Sequence, residues 1–128
     1  MILDSSAIVA VVLRKPGFEP VLQRIIETPT VAVGAPTLAE AAVVLSARLE
    51  RDARGVLARL LQEGTIATIP FTEAHFGAAV EAWLRFGKGR HPAALNFGDC
   101  LAYATAMLAG EPLLCIGNDF QQTDVSLA

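Results

Sequence analysis

Four acidic residues in this chain of 128 residues stand where they could act together. Asp4 and Asp119 each follow an apolar segment, Glu40 lies shortly after another, and Asp99 lies near the start of a predicted helix. Four carboxylates in one cleft would repel one another unless a cation neutralised them. Oxygen ligands without His or Cys select a hard divalent ion, so the sequence predicts a Mg²⁺ site, with Mn²⁺ as the alternative.

Such a site would keep some ligand positions of the ion open for a phosphate group. The ion would lower the pKa of a bound water and screen the charge of the transition state. The acidic residues therefore predict metal-assisted hydrolysis of a phosphodiester bond.

Short apolar segments alternate with longer helical patterns, and these elements must position the acids. The predicted strands cover residues 1–3, 31–33, 65–69 and 113–116, with 125–127 as a candidate fifth strand at the edge. The predicted helices cover residues 7–13, 18–26, 37–51, 52–63, 72–86 and 96–109. This order predicts an α/β protein whose parallel sheet is covered on both faces. All strand carboxyl ends then share one edge, where the four acids would meet.

Each acid also has a structural interpretation. Thr37 to Glu40 has the pattern of a capping box, and Asn96 to Asp99 is a weaker version of it. Asp4 and Asp119 could cap helix N-termini, where the helix dipole favours negative charge.

Composition restricts the class of protein. The formal net charge of −3 argues against binding nucleic acid by bulk attraction. Hydrophobic residues make up 53% of the chain and the mean hydropathy is +0.47, so we expect a partner or a second copy to cover some apolar surface. Cys100 and Cys115 lack metal-binding spacing and no signal peptide or membrane span is evident, which predicts a cytoplasmic protein.

Four segments resemble the motifs of PIN-domain ribonucleases and, more narrowly, of the VapC toxins of bacterial toxin–antitoxin pairs. They are MILDSSA at residues 1–7, TLAE at 37–40, LNFGDCLAYA at 95–104 and GNDF at 117–120. The resemblance implies a single domain over residues 1–128 with a three-layer α/β/α fold. Its central parallel sheet would have four to five strands in the order 3-2-1-4-5.

The same resemblance implies an activity and its partners. The activity would be that of a Mg²⁺-dependent endoribonuclease whose products carry a 5′-phosphate and a 3′-hydroxyl. A VapB-type antitoxin would block the site, and the protein would form a homodimer. The two apolar-rich helical regions, residues 18–26 and 37–61, are where we expect the antitoxin to dock.

Residue roles carried over by position place Asp4 and Asp99 as direct metal ligands. Glu40 and Asp119 would act through waters or hold a second ion. Further positions follow from the same alignment of motifs: Ser6 as a hydroxyl that orients Asp4 or a water, Asn118 where the family often has another acid, and Asp124 as an alternative fourth acid.

Other candidates are weighed against simpler interpretations. Arg85, Lys88 and Arg90, with His91, precede Asp99 and predict a basic lip that holds RNA phosphates, or else a solvated loop. The helical spacing of Phe76, Val80, Trp83 and Leu84 predicts a buried face, and Phe86 is also expected in the core. We expect His75 to pack in the protein or cap a helix, and we expect Cys100 to lie in the core rather than act as a nucleophile.

Two rival functions differ in class from a nuclease. One is a non-catalytic PIN-like module that binds RNA or protein. The other is a small metal-dependent phosphatase or receiver domain, which fits poorly. Ser6 occupies the place of the second Asp that an aspartyl-phosphate phosphatase needs, and no Lys follows Lys88.

Overall fold

A parallel sheet of four strands forms the centre of the protein in a computed structural model that describes residues 1–128. The strands are β1 (Ile2–Leu3), β2 (Val31–Gly34), β3 (Ile66–Ile69) and β4 (Leu113–Leu114). They lie in the order β3-β2-β1-β4, and every pair is parallel. The predicted order is confirmed for these four strands. The fifth is reduced to a single bridge, in which Leu127 pairs with Leu113 at the edge.

Six helices cover the two faces of the sheet. They are α1 (Ser5–Leu13), α2 (Phe18–Glu27), α3 (Ala35–Leu49), α4 (Arg54–Glu63), α5 (Glu73–Phe86) and α6 (Phe97–Ala109). Helices α1 to α4 share one apolar core with the sheet, and α5 and α6 share another. The three-layer α/β/α architecture is confirmed. No helix has both the length and the apolar character needed to cross a membrane.

Successive strand residues point to opposite faces, which explains why the two cores are separate. Leu3 and Val33 lie in the core beneath α1 to α4. Ile2, Ala32 and Leu113 lie in the core beneath α5 and α6. Both faces are buried, so the strands read as continuous apolar segments.

Three helices begin two residues away from their predicted starts. Helix α1 begins at Ser5 rather than residue 7, because Asp4 is its N-cap and both serines belong to the first turn. Helix α3 begins at Ala35 rather than Thr37, since Pro36 is tolerated in a first turn that has no intrahelical N–H partner. The predicted cap at Asp52 is also displaced: Ala53 is the N-cap of α4, and Asp52 accepts a hydrogen bond from the Arg54 N–H.

The predicted buried face of α5 is wrong. Phe76, Val80, Trp83 and Leu84 are exposed, and the buried residues are instead His75, Ala79, Ala82 and Phe86. Helix α5 carries apolar residues around most of its circumference, so periodicity alone does not choose a face. The small side chains of Ala79 and Ala82 let α5 lie close to α6, which leaves the larger side chains outside.

Candidate active site

Asp4 lies at the end of the central strand, between β2 and β4. Its backbone N–H still donates to the Leu114 carbonyl at 2.9 Å, so the strand pairing fixes its position. Its side chain is buried, with 6% of the residue exposed, and caps α1. The structural interpretation of Asp4 as an N-cap is therefore confirmed, and it leaves room for a second role.

Ser6 ties Asp4 to the end of β4. The Ser6 hydroxyl donates to Asp4 Oδ2 at 2.5 Å, and the Ser6 backbone N–H donates to the same oxygen at 3.1 Å. The Ile116 N–H donates to the Ser6 hydroxyl at 3.0 Å. Both hydrogen bonds from Ser6 end on Oδ2, which leaves Asp4 Oδ1 for another partner.

Asp99 is the third residue of α6 and forms the capping box that the sequence predicts. The Asn96 N–H donates to Asp99 Oδ2 at 3.0 Å, and the Asp99 N–H donates to Asn96 Oδ1 at 2.8 Å. The residue is only 9% exposed. As at Asp4, one carboxylate oxygen is used by the protein and the other is not.

Glu40 reaches the start of α6 from the second turn of α3. Its carboxylate lies against the Cα of Gly98, where any Cβ would overlap it. The capping box predicted for Thr37 and Glu40 does not form, because α3 begins two residues earlier with Gly34 as its N-cap. Glu40 is thereby free to face α6, and the Thr37 hydroxyl is buried without a hydrogen-bond partner.

Asp119 and Asn118 lie in the exposed turn that follows β4. Asp119 caps no helix, so its predicted structural role is wrong. Its negative charge nevertheless acts on Asp99 and on the thiol of Cys115.

Electrostatics indicate that the four acids form one cluster. The pKa of Asp99 is raised to about 6, chiefly by burial, while the hydrogen bond from the Asn96 N–H opposes the rise. The charges of three acids, Asp119, Asp4 and Glu40, contribute to the same rise. Burial also raises the pKa of Asp4; Glu40 adds to that rise, and the hydrogen bonds from Ser6 oppose it. Because charges interact more weakly with distance, these effects indicate that the carboxylates share one site.

The cluster has no basic partner within the protein. The salt bridges of the molecule use other acidic residues, namely Glu111, Asp52, Glu63 and Asp124. Two buried carboxylates without a counter-charge are costly, and a divalent cation would relieve that cost.

The donor set fits Mg²⁺ or Mn²⁺ by its chemistry. All candidate ligands are carboxylate oxygens, which hard ions prefer. No group of three or more His, Cys, Asp or Glu side chains is arranged to hold a metal ion by itself. Mg²⁺ does not need such a cage, since it commonly binds through one or two carboxylates and completes its shell with water and substrate phosphate.

The predicted basic lip is held by contacts within the protein. Arg85 forms a salt bridge with Asp124 at 3.1 Å. The guanidinium of Arg90 lies 4.8 Å from the centre of the Trp83 ring, and its Nε donates to the Leu84 carbonyl. Lys88 is exposed. The role of these three residues in binding RNA stays a prediction.

Asp124 does not join the acidic cluster. Tyr103 donates to Asp124 at 2.6 Å, and this bond together with Arg85 holds the pKa of Asp124 below its usual value. Asp119, rather than Asp124, is the fourth acid of the cluster, since its charge acts on Asp99.

Two features near the cluster were missed by sequence reasoning. Cys115 is only partly buried and directly follows β4, and burial raises its pKa to about 11, with contributions from Asp4, Asp119 and Asp99. Its position after a strand could have indicated this. Phe97 begins α6, and 76% of it is exposed. No sequence pattern distinguishes an exposed Phe at this position from a buried one.

The fold and the site define a class: small α/β proteins that carry a carboxylate cluster at the carboxyl edge of a parallel sheet. Comparison with known proteins makes the class specific. The sequence model described as PIN domain matches residues 1–126. Ribonuclease VapC36 of Mycobacterium tuberculosis is 47% identical over 98% of this chain and 91% of its own length.

Solved structures agree with the fold. Mycobacterium tuberculosis VapC20, described as a sarcin-ricin loop cleaving toxin, has a TM-score of 0.78 at 18% identity. The match covers 99% of this chain and 97% of that one. A chain of a toxin–antitoxin complex from Klebsiella pneumoniae has a TM-score of 0.73 at 16% identity, covering 99% and 95%. The chain belongs to the PIN-domain family and, within it, to the VapC group.

Proposed function

We propose that the protein is a metal-dependent endoribonuclease that acts as the toxin of a toxin–antitoxin pair. The observation that carries the proposal is the pair of buried carboxylates, Asp4 and Asp99, which have no basic partner and of which Asp4 raises the pKa of Asp99 through its charge. Curated relatives named as VapC ribonucleases support RNA as the substrate.

The metal would be Mg²⁺, with Mn²⁺ as the alternative, and Asp4 and Asp99 would hold it directly. When bound, such an ion supplies Lewis-acid activation of water and neutralises charge that builds up on the phosphate. Glu40 and Asp119 would act through water molecules or on a second ion. Their charges extend the negative field over the cleft.

The protein's own contribution is to fix the carboxylates in advance. Ser6 holds Asp4 Oδ2, and the Asn96 N–H holds Asp99 Oδ2. In each case the remaining oxygen accepts no hydrogen bond and is carried by a regular element, a strand end for Asp4 and a helix start for Asp99. Such preorganisation removes the cost of arranging the ligands during the reaction.

An antitoxin of the VapB type is the proposed protein partner. Between α3 and α4 lies a groove of about 520 Å³, lined by apolar side chains that include Leu38, Val43 and Leu57. Between α2 and α4 lies a second groove of about 490 Å³, beside the exposed Ile26. An amphipathic segment of a partner would cover these surfaces. We also propose a homodimer, which the apolar composition favours.

Substitution of the metal ligands tests the activity. Asp4→Asn and Asp99→Asn should each lower the rate of RNA cleavage at least about a hundredfold, because stabilisation of several kcal/mol by the ion is lost. Asp52→Asn is the matched control, since Asp52 is an exposed acid that pairs with Arg54 away from the cluster. Gel analysis of cleavage in Mg²⁺ and in EDTA measures the effect.

Two results would contradict the proposal. One is RNA cleavage by Asp99→Asn at the rate of the unaltered protein. The other is the lack of any binding heat when the metal-free protein is titrated with Mn²⁺, which would favour a non-catalytic module that binds RNA or protein.

A further inference from the structure

An apolar groove opens between α5 and the first turn of α6, the turn that also carries Asp99. Its volume is about 340 Å³, and its lining is entirely apolar: Ala79, Val80, Trp83, Phe97 and Cys100. Cys100 follows Asp99 directly and Phe97 precedes it by two residues. The groove therefore adjoins the first turn of α6, which carries a proposed metal ligand.

Two aromatic side chains form exposed walls of this groove. Phe97 is 76% exposed and Trp83 is 43% exposed. Neither aromatic side chain is needed to begin α6, because Asn96 and Asp99 already cap that helix. An exposed phenyl group at a helix start contributes little to the core and is open to contact from outside the protein.

A cation is fixed at one wall of the groove. The Arg90 guanidinium lies over the Trp83 ring, and its Nε donates to the Leu84 carbonyl at 3.2 Å. The loop that carries Arg90 is closed at its base by the bridge between Gly87 and Leu95. Arg90 is thus an exposed residue whose guanidinium is held beside the aromatic wall.

Aromatic walls, a fixed cation and an adjoining metal site match the parts of one nucleotide of single-stranded RNA. Bases stack on aromatic side chains and on arginine planes, and this stacking tolerates different bases. Arg90 would offer its positive charge to a phosphate of the same strand. Stacking also suits this chain, whose net charge of −3 gives weak general attraction for RNA.

We propose that the groove between α5 and α6 binds the base of a nucleotide next to the bond that is cut, with Phe97 and Trp83 as its stacking residues. This inference rests on the proposed ribonuclease function and specifies how its substrate is held. Phe97 and Trp83 are binding residues here, so their loss should raise KM and leave kcat nearly unchanged.

Trp83 makes a direct test possible because it is the only tryptophan in the chain. Its fluorescence is followed while a single-stranded RNA of ten nucleotides is added in EDTA, which prevents metal-dependent cleavage. Stacking should quench the emission in a saturable way. An RNA of the same length without bases should leave the emission unchanged, since it offers phosphates alone.

Matched substitutions complete the test. Phe97→Leu keeps an apolar residue at the start of α6 and should weaken RNA binding, and raise KM for cleavage, by about fivefold to a hundredfold, the range for one stacked base. Phe76→Leu is the control, because Phe76 is 61% exposed on α5 and does not line the groove. It should bind and cleave RNA as the unaltered protein does.

Several outcomes would overturn the inference. It fails if RNA does not bind, if bound RNA leaves Trp83 emission unchanged, or if Phe97→Leu binds and cleaves normally. It also fails if both phenylalanine variants weaken self-association in sedimentation while RNA binding is unchanged, since a second copy would then cover this face. Base-dependent quenching without any cleavage would support base binding in the groove and contradict the proposed ribonuclease activity. Normal cleavage by Phe97→Leu would support the ribonuclease activity and contradict base binding in the groove.

Discussion

At the scale of single residues, Asp4 and Asp99 each combine a structural and a chemical role. Oδ2 of Asp4 accepts both hydrogen bonds from Ser6, and Oδ2 of Asp99 accepts the hydrogen bond of the capping box. The second oxygen of each carboxylate is left for another ligand. Capping and metal binding are therefore compatible, because a carboxylate has enough lone pairs for both.

The raised pKa of Asp99 predicts how stability depends on pH in the metal-free protein. The pKa of about 6 in the folded state exceeds the ordinary value of 3.8, so the folded state binds the proton more tightly than the unfolded state. The free energy of unfolding should therefore fall as the pH rises from about 4 to above 6. Asp99→Asn removes this fall and should be more stable by about 1 to 2 kcal/mol at pH 8.

Urea unfolding in EDTA at pH 4.5 and pH 8 measures this difference. At the lower pH the two proteins should be nearly equal, because Asp99 is then mostly protonated. At pH 8, saturating Mg²⁺ should restore the free energy of unfolding of the unaltered protein and leave that of the variant unchanged. If Asp99→Asn were less stable than the unaltered protein at pH 8, the negative charge of Asp99 would not be destabilising, which contradicts the prediction.

Ser6 is predicted to act as a positioning residue. Ser6→Ala removes the hydroxyl between Asp4 and the Ile116 N–H. Cleavage should fall about tenfold to a hundredfold, as for other residues that orient metal ligands. Ser5→Ala is the matched control, because the Ser5 hydroxyl makes no hydrogen bond. Equal kcat values for the two variants, or a loss that raised Mg²⁺ does not partly rescue, would show that Ser6 does not orient Asp4.

At the scale of elements, the start of α6 brings the parts of the site together. It supplies Asp99, receives Glu40 from α3 against Gly98, and presents Phe97 to the neighbouring groove. The positive end of a helix dipole also favours the carboxylates that gather there. The close approach of α3 and α6 depends on Gly98 having no side chain.

Gly98→Ala tests that dependence. A Cβ at this position would overlap the Glu40 carboxylate and displace it from the cluster. Cleavage should fall at least about tenfold if Glu40 contributes through the ion or its waters. Thermal unfolding and RNA cleavage are measured together.

Gly77→Ala serves as the control for the helical effect of alanine. Gly77 lies in α5 with open space at its Cβ position, so the change should stabilise the protein by up to about 1 kcal/mol and leave activity unchanged. Full activity of Gly98→Ala would mean that the position of Glu40 is unimportant for the reaction.

At the scale of the whole molecule, the apolar surface is divided between two regions. The grooves along α3 and α4 and along α2 and α4 lie on the face of the sheet opposite α5 and α6. The exposed apolar side chains of α5 and the groove beside Phe97 lie on the other face. Two separate apolar surfaces would allow the proposed antitoxin and the proposed RNA substrate to bind at different places.

Val43→Asp tests the proposed antitoxin surface. Val43 is 70% exposed in the groove between α3 and α4, so the free protein should unfold within about 0.5 kcal/mol of the unaltered one. Affinity for the proposed VapB-type antitoxin should fall at least about tenfold. Leu108→Asp on α6, which is 48% exposed and lies on the other face, is the control. If only the Leu108 variant lost the antitoxin, the surface would be assigned to the wrong face.

The sequence by itself determined the elements and their order. Alternating apolar segments and helical patterns predicted the α/β/α layers and the parallel sheet, and strand ends followed by Asp4 and Asp119 predicted the edge where acids gather. This works because strand carboxyl ends in a parallel sheet must lie together, whatever the details of packing. Glu40 and Asp99 followed from the same reasoning, because each lies near the start of a predicted helix, and the family motifs added only their roles.

Only the tertiary structure decided which side chains face each other. It placed Glu40 against Gly98 instead of in a capping box, and it bound Asp124 to Tyr103 and Arg85. It also turned Trp83 outward, because close packing of α5 on α6 required the alanine face. Such choices depend on the fit between distant segments, and local periodicity contains no information about that fit.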